Sequence, residues 1–213
     1  MPLRWTAPTL LALLTTTALR AQAVPTAAYV VSVDGREAGQ ERIGRGVGRD
    51  GGPVLRVETV PVAPPPLTAL LSRAAGGQQD VLQLEIRHPE GTETVRATPG
   101  PGRITVSSSG TGTRRTRELP ASGRVLLLDE AAHGLLLAAA EAATPEGTEL
   151  TGIYVRSGRR VRFTAIREVA KAGGAPSVRL TGELNARLRF EPDGRLDRLE
   201  LPDARTVLSR LPD

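Results

Sequence analysis

The chain has 213 residues, with 28 Lys+Arg against 23 Asp+Glu, two His, no Cys, 23 Gly, 17 Pro and 2% aromatic residues. The absence of Cys excludes a disulfide framework and a lipid-modified N-terminal cysteine. So few aromatic side chains cannot build a base-stacking platform, which removes nucleic acid as a partner, and they leave little for carbohydrate stacking.

Met1-Pro2-Leu3-Arg4 precedes an apolar stretch from about Ala7 to Leu19, which ends at Arg20-Ala21-Gln22-Ala23. A basic start, a short apolar run and small residues at Ala21 and Ala23 form the pattern of a secretory leader. Pro8 and Thr15-Thr16-Thr17 interrupt the run, which falls short of the ~20 residues that span a bilayer. The expectation is a signal peptide over residues 1–23, cleaved near Ala23. The remainder, 24–213, is expected to be a single β-rich domain, soluble and exported to the periplasm or cell surface. Arg4 and Arg20 belong to the leader, so the formal net charge of +5 falls to +3 for the exported part. Lys171 is the single lysine, so the positive charge is Arg charge.

Beyond the leader, short alternating runs separated by turn signals predict an all-β pattern. Tyr29 to Val33 leads into Asp34-Gly35, a dipeptide that tolerates positive φ in a hairpin. The return strand spans about Arg36 to Val47, and Asp50-Gly51-Gly52 turns the chain into Val54 to Val60. Pro61 to Pro66 holds four prolines and breaks the sheet, with a short helical piece predicted at Leu67 to Ala75. Val81 to His88 places Leu82, Leu84 and Ile86 inward. Pro89-Glu90-Gly91 returns the chain to Thr92 to Thr98, and Arg103 to Ser108 and Thr113 to Leu119 follow.

A helix is predicted over about 129–143, with Asp129 as its cap, Ala and Leu throughout, and Pro145 and Gly147 to stop it. Its polar residues are few, so it should be covered by a curved sheet. Strands resume at Thr148 to Val155 and Arg160 to Val169, around a turn at Ser157-Gly158. Ser177 to Gly182 follows the Gly173-Gly174 loop. Leu184, Ala186, Leu188 and Phe190 alternate cleanly with polar neighbours. Asp193-Gly194 turns the chain into Leu196 to Leu201 and Arg205 to Leu211.

The residues that carry chemistry are sparse. His88 and His133 lie on different predicted elements and suit no metal site. Ser107-Ser108-Ser109 lacks the Gly-x-Ser-x-Gly frame of a nucleophile elbow. Gly44-x-Gly46-x-Gly48 has no following helix to cradle a phosphate, and Asp129-Glu130 reads as a helix start rather than a glycosidase pair. No catalytic, cofactor-binding or metal-binding residue is assigned, no cofactor is expected, and the ligand-binding residues stay unassigned. Arg clusters occur at Arg114-Arg115-Thr116-Arg117 and at Arg156, Arg159, Arg160 and Arg162. In the second, strand alternation sends Val161, Phe163 and Ala165 to one face and Arg160, Arg162 and Thr164 to the other, a wet face that also suits an anionic membrane surface.

Tyr29-x-Val31-x-Val33-Asp34-Gly35-x-x-x-Gly39 and Gly182-Glu183-Leu184-Asn185-Ala186-Arg187-Leu188-Arg189-Phe190, through Asp193-Gly194-Arg195-Leu196, resemble a group of exported, uncharacterised bacterial β-rich proteins. Some of these resemble lipoprotein carriers. The resemblance implies a mainly β fold, a single antiparallel sheet curled into an incomplete barrel over one α-helix, with an apolar concavity that can hold an acyl chain. It carries over no catalytic residue. The expected function is an exported, non-catalytic cell-envelope protein that binds a hydrophobic or lipid-like ligand in the half-barrel. The alternative is a structural or protein-interaction module of the envelope, with another envelope protein as partner. The first needs an unfilled cavity of a few hundred Å³; the second fills its core and exposes a patch or sheet edge.

Overall fold

The computed structural model describes residues 26–63, 65–73, 80–110, 112–168 and 175–212. The leader expected at 1–23 lies outside these residues, as do Lys171, the Gly173-Gly174 loop, and Ala74-Ala75 at the end of the expected helical piece. Eight strands come first: β1 (Thr26–Val33), β2 (Arg36–Val47), β3 (Pro53–Pro61), β4 (Leu67–Arg73), β5 (Asp80–His88), β6 (Gly91–Gly100), β7 (Arg103–Gly110) and β8 (Thr113–Pro120). Each pairs with its predecessor as an antiparallel hairpin. At the first turn Asp34 and Gly35 have φ of 50° and 75°, the doubly positive geometry whose twist matches that of the flanking strands.

The chain then crosses to the opposite edge of the sheet. β9 (Val125–Leu128) precedes a 3₁₀ turn (His133–Leu136) that runs into α1 (Leu137–Ala142). β10 (Thr148–Tyr154), β11 (Arg160–Glu168), β12 (Ser177–Gly182), β13 (Ala186–Phe190), β14 (Leu196–Leu201) and β15 (Thr206–Arg210) walk back toward the start. β15 pairs with β1, which makes one 15-stranded sheet with β8 and β9 as its edges. All pairs are antiparallel except β9 with β10. The sheet curls but does not close, because no backbone ladder joins β8 to β9. Across that gap Arg117 on β8 donates through Nη2 to the carbonyls of Val155 (2.6 Å) and Arg156.

Strand periodicity sorts the side chains into two environments. Tyr29, Ile43, Leu84, Val106, Phe163 and Leu208 face inward and are buried, while Gln40, Arg42, Gln83, Arg160 and Arg162 face outward and are exposed. The outer face is therefore polar, the reverse of a membrane-spanning barrel with its apolar outer band. On that face Glu168 joins β11 to β12 and β13, accepting from Ser177 Oγ (2.6 Å), Arg179 Nε (3.0 Å) and Arg187 Nη2 (3.2 Å).

The Ser177 hydrogen bond first, and then the two guanidiniums, hold the Glu168 carboxyl below its ordinary value of 4.5. A carboxyl with a lowered folded-state pKa stabilises fully above its unfolded value, and that contribution is lost as pH falls through the folded value. Glu168→Gln is therefore expected to narrow the stability difference between about pH 7 and about pH 3. The change should stay under about 1 kcal/mol because the group is partly exposed. Urea unfolding midpoints at the two pH values measure it.

Two expected elements are corrected. Leu67–Arg73 is a strand, not a helical piece, with Leu67, Ala69 and Leu71 buried between β3 and β5. Leu and Ala favour helix, but two neighbouring strand edges override that propensity. The expected 129–143 helix spans only the 3₁₀ turn and α1, because Asp129 does not cap it and Ala132, with φ −118° and ψ 76°, precedes it. This short helical segment lies inside the curl of the sheet. Leu135 and Ala139 are wholly buried there, and Leu136 and Leu137 nearly so.

Candidate functional site

Polar side chains on the inner face of the sheet anchor the helical segment at its start. Alternation along β2 places Glu41 between Gly39 and Ile43 on the core side, and its side chain has 0% exposure. The carboxylate accepts from His133 N (2.9 Å) and Gly134 N (2.9 Å), and its Oε1 lies 2.7 Å from His133 Nδ1. It thus serves as the acceptor for the first backbone N–H groups of the 3₁₀ turn, which leave the turn without intrahelical partners. Thr59 Oγ1 on β3 donates to Ala131 O (2.9 Å). Asp129, also fully buried, accepts from Ala131 N (2.9 Å) and from Arg156 Nε (2.5 Å) and Nη2 (2.8 Å). The hydrogen bond to Asp129 raises the Arg156 pKa above its ordinary value.

Gly134 fits tightly at this point. A Cβ there would stand 2.7 Å from Ile43 Cδ1 and 3.0 Å from Val57 Cγ2, so any side chain at this position would push Ile43 or the turn aside. The helical segment therefore fills the concavity. His133 meets Glu41 of β2, whereas the neighbouring Glu130 accepts from Ser157 Oγ. His88 lies at the end of β5, 3.7 Å from Glu93. Ser107-Ser108-Ser109 lies within β7, and Gly44 and Gly46 within β2, so neither run forms a loop for catalysis or phosphate binding. Among the described residues no group of three or more His, Cys, Asp or Glu side chains converges as a metal site would require.

Open space remains at the ends of the barrel. Beside α1, at the end where β1 begins, lies a cavity of about 580 Å³. Its floor includes Ile104, Leu126, Leu127, Ala138, Ala142 and Leu150, and its rim includes Arg73, Asp80, Arg103 and Arg124. Arg73 is held in a two-pronged pair with Asp80, both bonds at 2.9 Å, which raises its pKa. Arg103 reaches Glu118 at 3.4 Å, and Arg124 has no side-chain partner among the described residues.

A cavity of about 460 Å³ opens at the same end, lined by Tyr29, Ile43 and Leu137 under Arg45, Arg195 and Arg210. Burial pushes the Tyr29 phenol up to about 12, and its hydroxyl donates to Leu196 O (2.8 Å). At the opposite end, under β7 and β8, an open cleft of about 570 Å³ includes Glu93, Arg115, Arg117 and Arg156 in its lining.

Sequence reasoning left the ligand-binding residues unassigned and missed Glu41. The signal for Glu41 was its inward register on a strand whose neighbours Gly39 and Ile43 are also buried.

No family model matches the chain, and no curated protein matches it. Among solved structures it is similar to the crystal structure of a β-barrel-like protein of a domain of unknown function, DUF1849, from Brucella abortus. The TM-score is 0.52 at 11% sequence identity, and the match covers 89% of this chain and 96% of that chain. The similarity is one of fold, and it agrees with the expected resemblance to uncharacterised bacterial β-rich proteins.

Proposed function

We propose that the chain is an exported, non-catalytic protein of the cell envelope that holds a hydrophobic or lipid-like ligand at the mouth of its plugged half-barrel. The carrying observation is the cavity of about 580 Å³ beside α1, with its floor of Ile104, Leu126, Leu127 and Leu150 and the guanidiniums of Arg103 and Arg124 at its rim. The volume falls within the range of roughly 300–1,000 Å³ that small-molecule ligands occupy. An apolar floor under a basic rim suits an amphiphile with its tail inside and an anionic head at the surface. Organic extraction of the protein purified from its own envelope should release one lipid-sized species in stoichiometric amount. An empty extract would weigh against this reading.

The filled concavity favours a second reading, a structural or protein-interaction module of the envelope. β8, exposed along Thr113 to Glu118 with one edge unpaired, is the surface such a module would offer. In either reading the exposed Arg160 and Arg162 of β11 are available to an anionic membrane surface. Replacing both by Gln is expected to reduce co-sedimentation with anionic vesicles severalfold at low salt, since each basic group near such a surface is worth about 1 kcal/mol. Unchanged sedimentation would remove the membrane as a partner for that strand.

A further inference from the structure

The cleft at the far end of the barrel has no part in the proposed ligand site. Along the β7–β8 pair Val106 stands opposite Arg117, and Ser108 opposite Arg115. Cross-strand partners share a face, so Arg115 and Arg117 project to the same side as the buried Val106. Arg156 joins them from the connection between β10 and β11. The three guanidiniums line one cleft of about 570 Å³ that also includes Val95, Val106, Val155 and Ser108.

Their donors are only partly used. Arg117 commits Nη2 to the Val155 and Arg156 carbonyls, and Arg156 commits Nε and Nη2 to the buried Asp129. Arg115 has no hydrogen bond or ion pair among the described residues. Three carboxylates face the three cations: Asp129, already paired with Arg156; Glu130, which accepts from Ser157 Oγ and also acts on Arg156; and Glu93, which shares the cleft and stands 3.7 Å from His88. Asp129 and Glu130 lie on the Arg156 side, and Arg115 contributes a whole unspent fork. Arg forks match the geometry of tetrahedral and planar oxyanions, and their hydrogen bonds to such groups are charge-assisted.

We propose that the Arg115–Arg117–Arg156 cleft binds a phosphate group, either free or as the headgroup of an anionic amphiphile. Arg115 is the recruiting residue, Arg117 and Arg156 supply the side walls, and Glu93 limits the affinity by repulsion. This site is separate from the mouth beside α1 and does not depend on that reading.

The test is calorimetric titration of the full chain with inorganic phosphate and, separately, with a short-chain phosphatidylglycerol below its micelle concentration. Arg115→Gln should weaken both about tenfold, the equivalent of ~1.4 kcal/mol, and Glu93→Gln should tighten both. Arg96→Gln removes the same charge from the outer face of β6 and should leave both unchanged. Arg115 is exposed, so its variant should keep the wild-type melting temperature. Tighter binding of the lipid identifies a headgroup as the source, and equal binding identifies free phosphate. The proposal is overturned if Arg115→Gln and Arg96→Gln weaken binding equally, or if neither probe saturates. Ala138→Phe, which fills the mouth beside α1, should not change this binding, so failure of the two sites can be told apart.

Discussion

Glu41→Ala is expected to destabilise the fold by about 3–5 kcal/mol, the range for removing one member of a buried charged network. The carboxylate is wholly buried and meets three donors, the N–H groups of His133 and Gly134 and the His133 ring. Alanine would strand those donors where water does not replace the acceptor, and each buried unsatisfied donor costs about 1–3 kcal/mol. The loss should fall on the helical segment first, because β2 keeps its ladders to β1 and β3. Amide hydrogen exchange should therefore show Leu135 to Ala140 opening before the strands, alongside a lower urea midpoint. Glu41→Gln retains one acceptor oxygen and should cost less than alanine. Equal stability of Glu41→Ala and the wild type would remove the carboxylate from any anchoring role.

The second large effect concerns Asp129 and Arg156, and it is asymmetric. Asp129 has no exposure, whereas the Arg156 side chain is 35% exposed. Arg156→Ala leaves a carboxylate buried without its cation and should cost about 3–5 kcal/mol. Asp129→Ala leaves a guanidinium that can turn to solvent and should cost less, chiefly the bonds to Arg156 and to Ala131 N. The double variant should lie nearer to Asp129→Ala than to the sum of the two singles, since the residues act as one unit. A double-mutant cycle on urea unfolding measures the difference. Equal costs for the two single variants would contradict the burial asymmetry.

These groups also show where sequence reading reached and where it stopped. The hairpins were legible because Asp34-Gly35, Ser157-Gly158 and Asp193-Gly194 announce backbone geometry locally, and because inward residues recur at every second position. The helix length was not legible, since Asp129, its apparent cap, is drawn away by Arg156, while the real acceptor, Glu41, comes from a strand far earlier in the chain. β9 left no signal of its own: Val125 to Leu128 is an unbroken apolar run in a parallel pair, and a strand covered on both faces has no alternation. Leu67 to Ala75 read as a short helical piece for a related reason: its composition speaks for helix, while the neighbours of Leu67–Arg73 impose a strand. The Arg114-Arg115-Thr116-Arg117 cluster was visible as charge. Its inward half emerged only once β8 was set in register against Val106 and Ser108.

Glu41, Gly134 and Leu135 fill the middle of the barrel, so the space for an apolar ligand lies at its ends, chiefly the cavity beside α1. The most direct test is lipid titration followed by native mass spectrometry on the delipidated wild type and on Ala138→Phe, whose ring would occupy the cavity beside α1. The wild type should take up one lipid per chain more than Ala138→Phe, and the two should melt at a similar temperature. A wild type that stays bare across the titration, or an Ala138→Phe that loads as fully as the wild type, would contradict the mouth as the binding site.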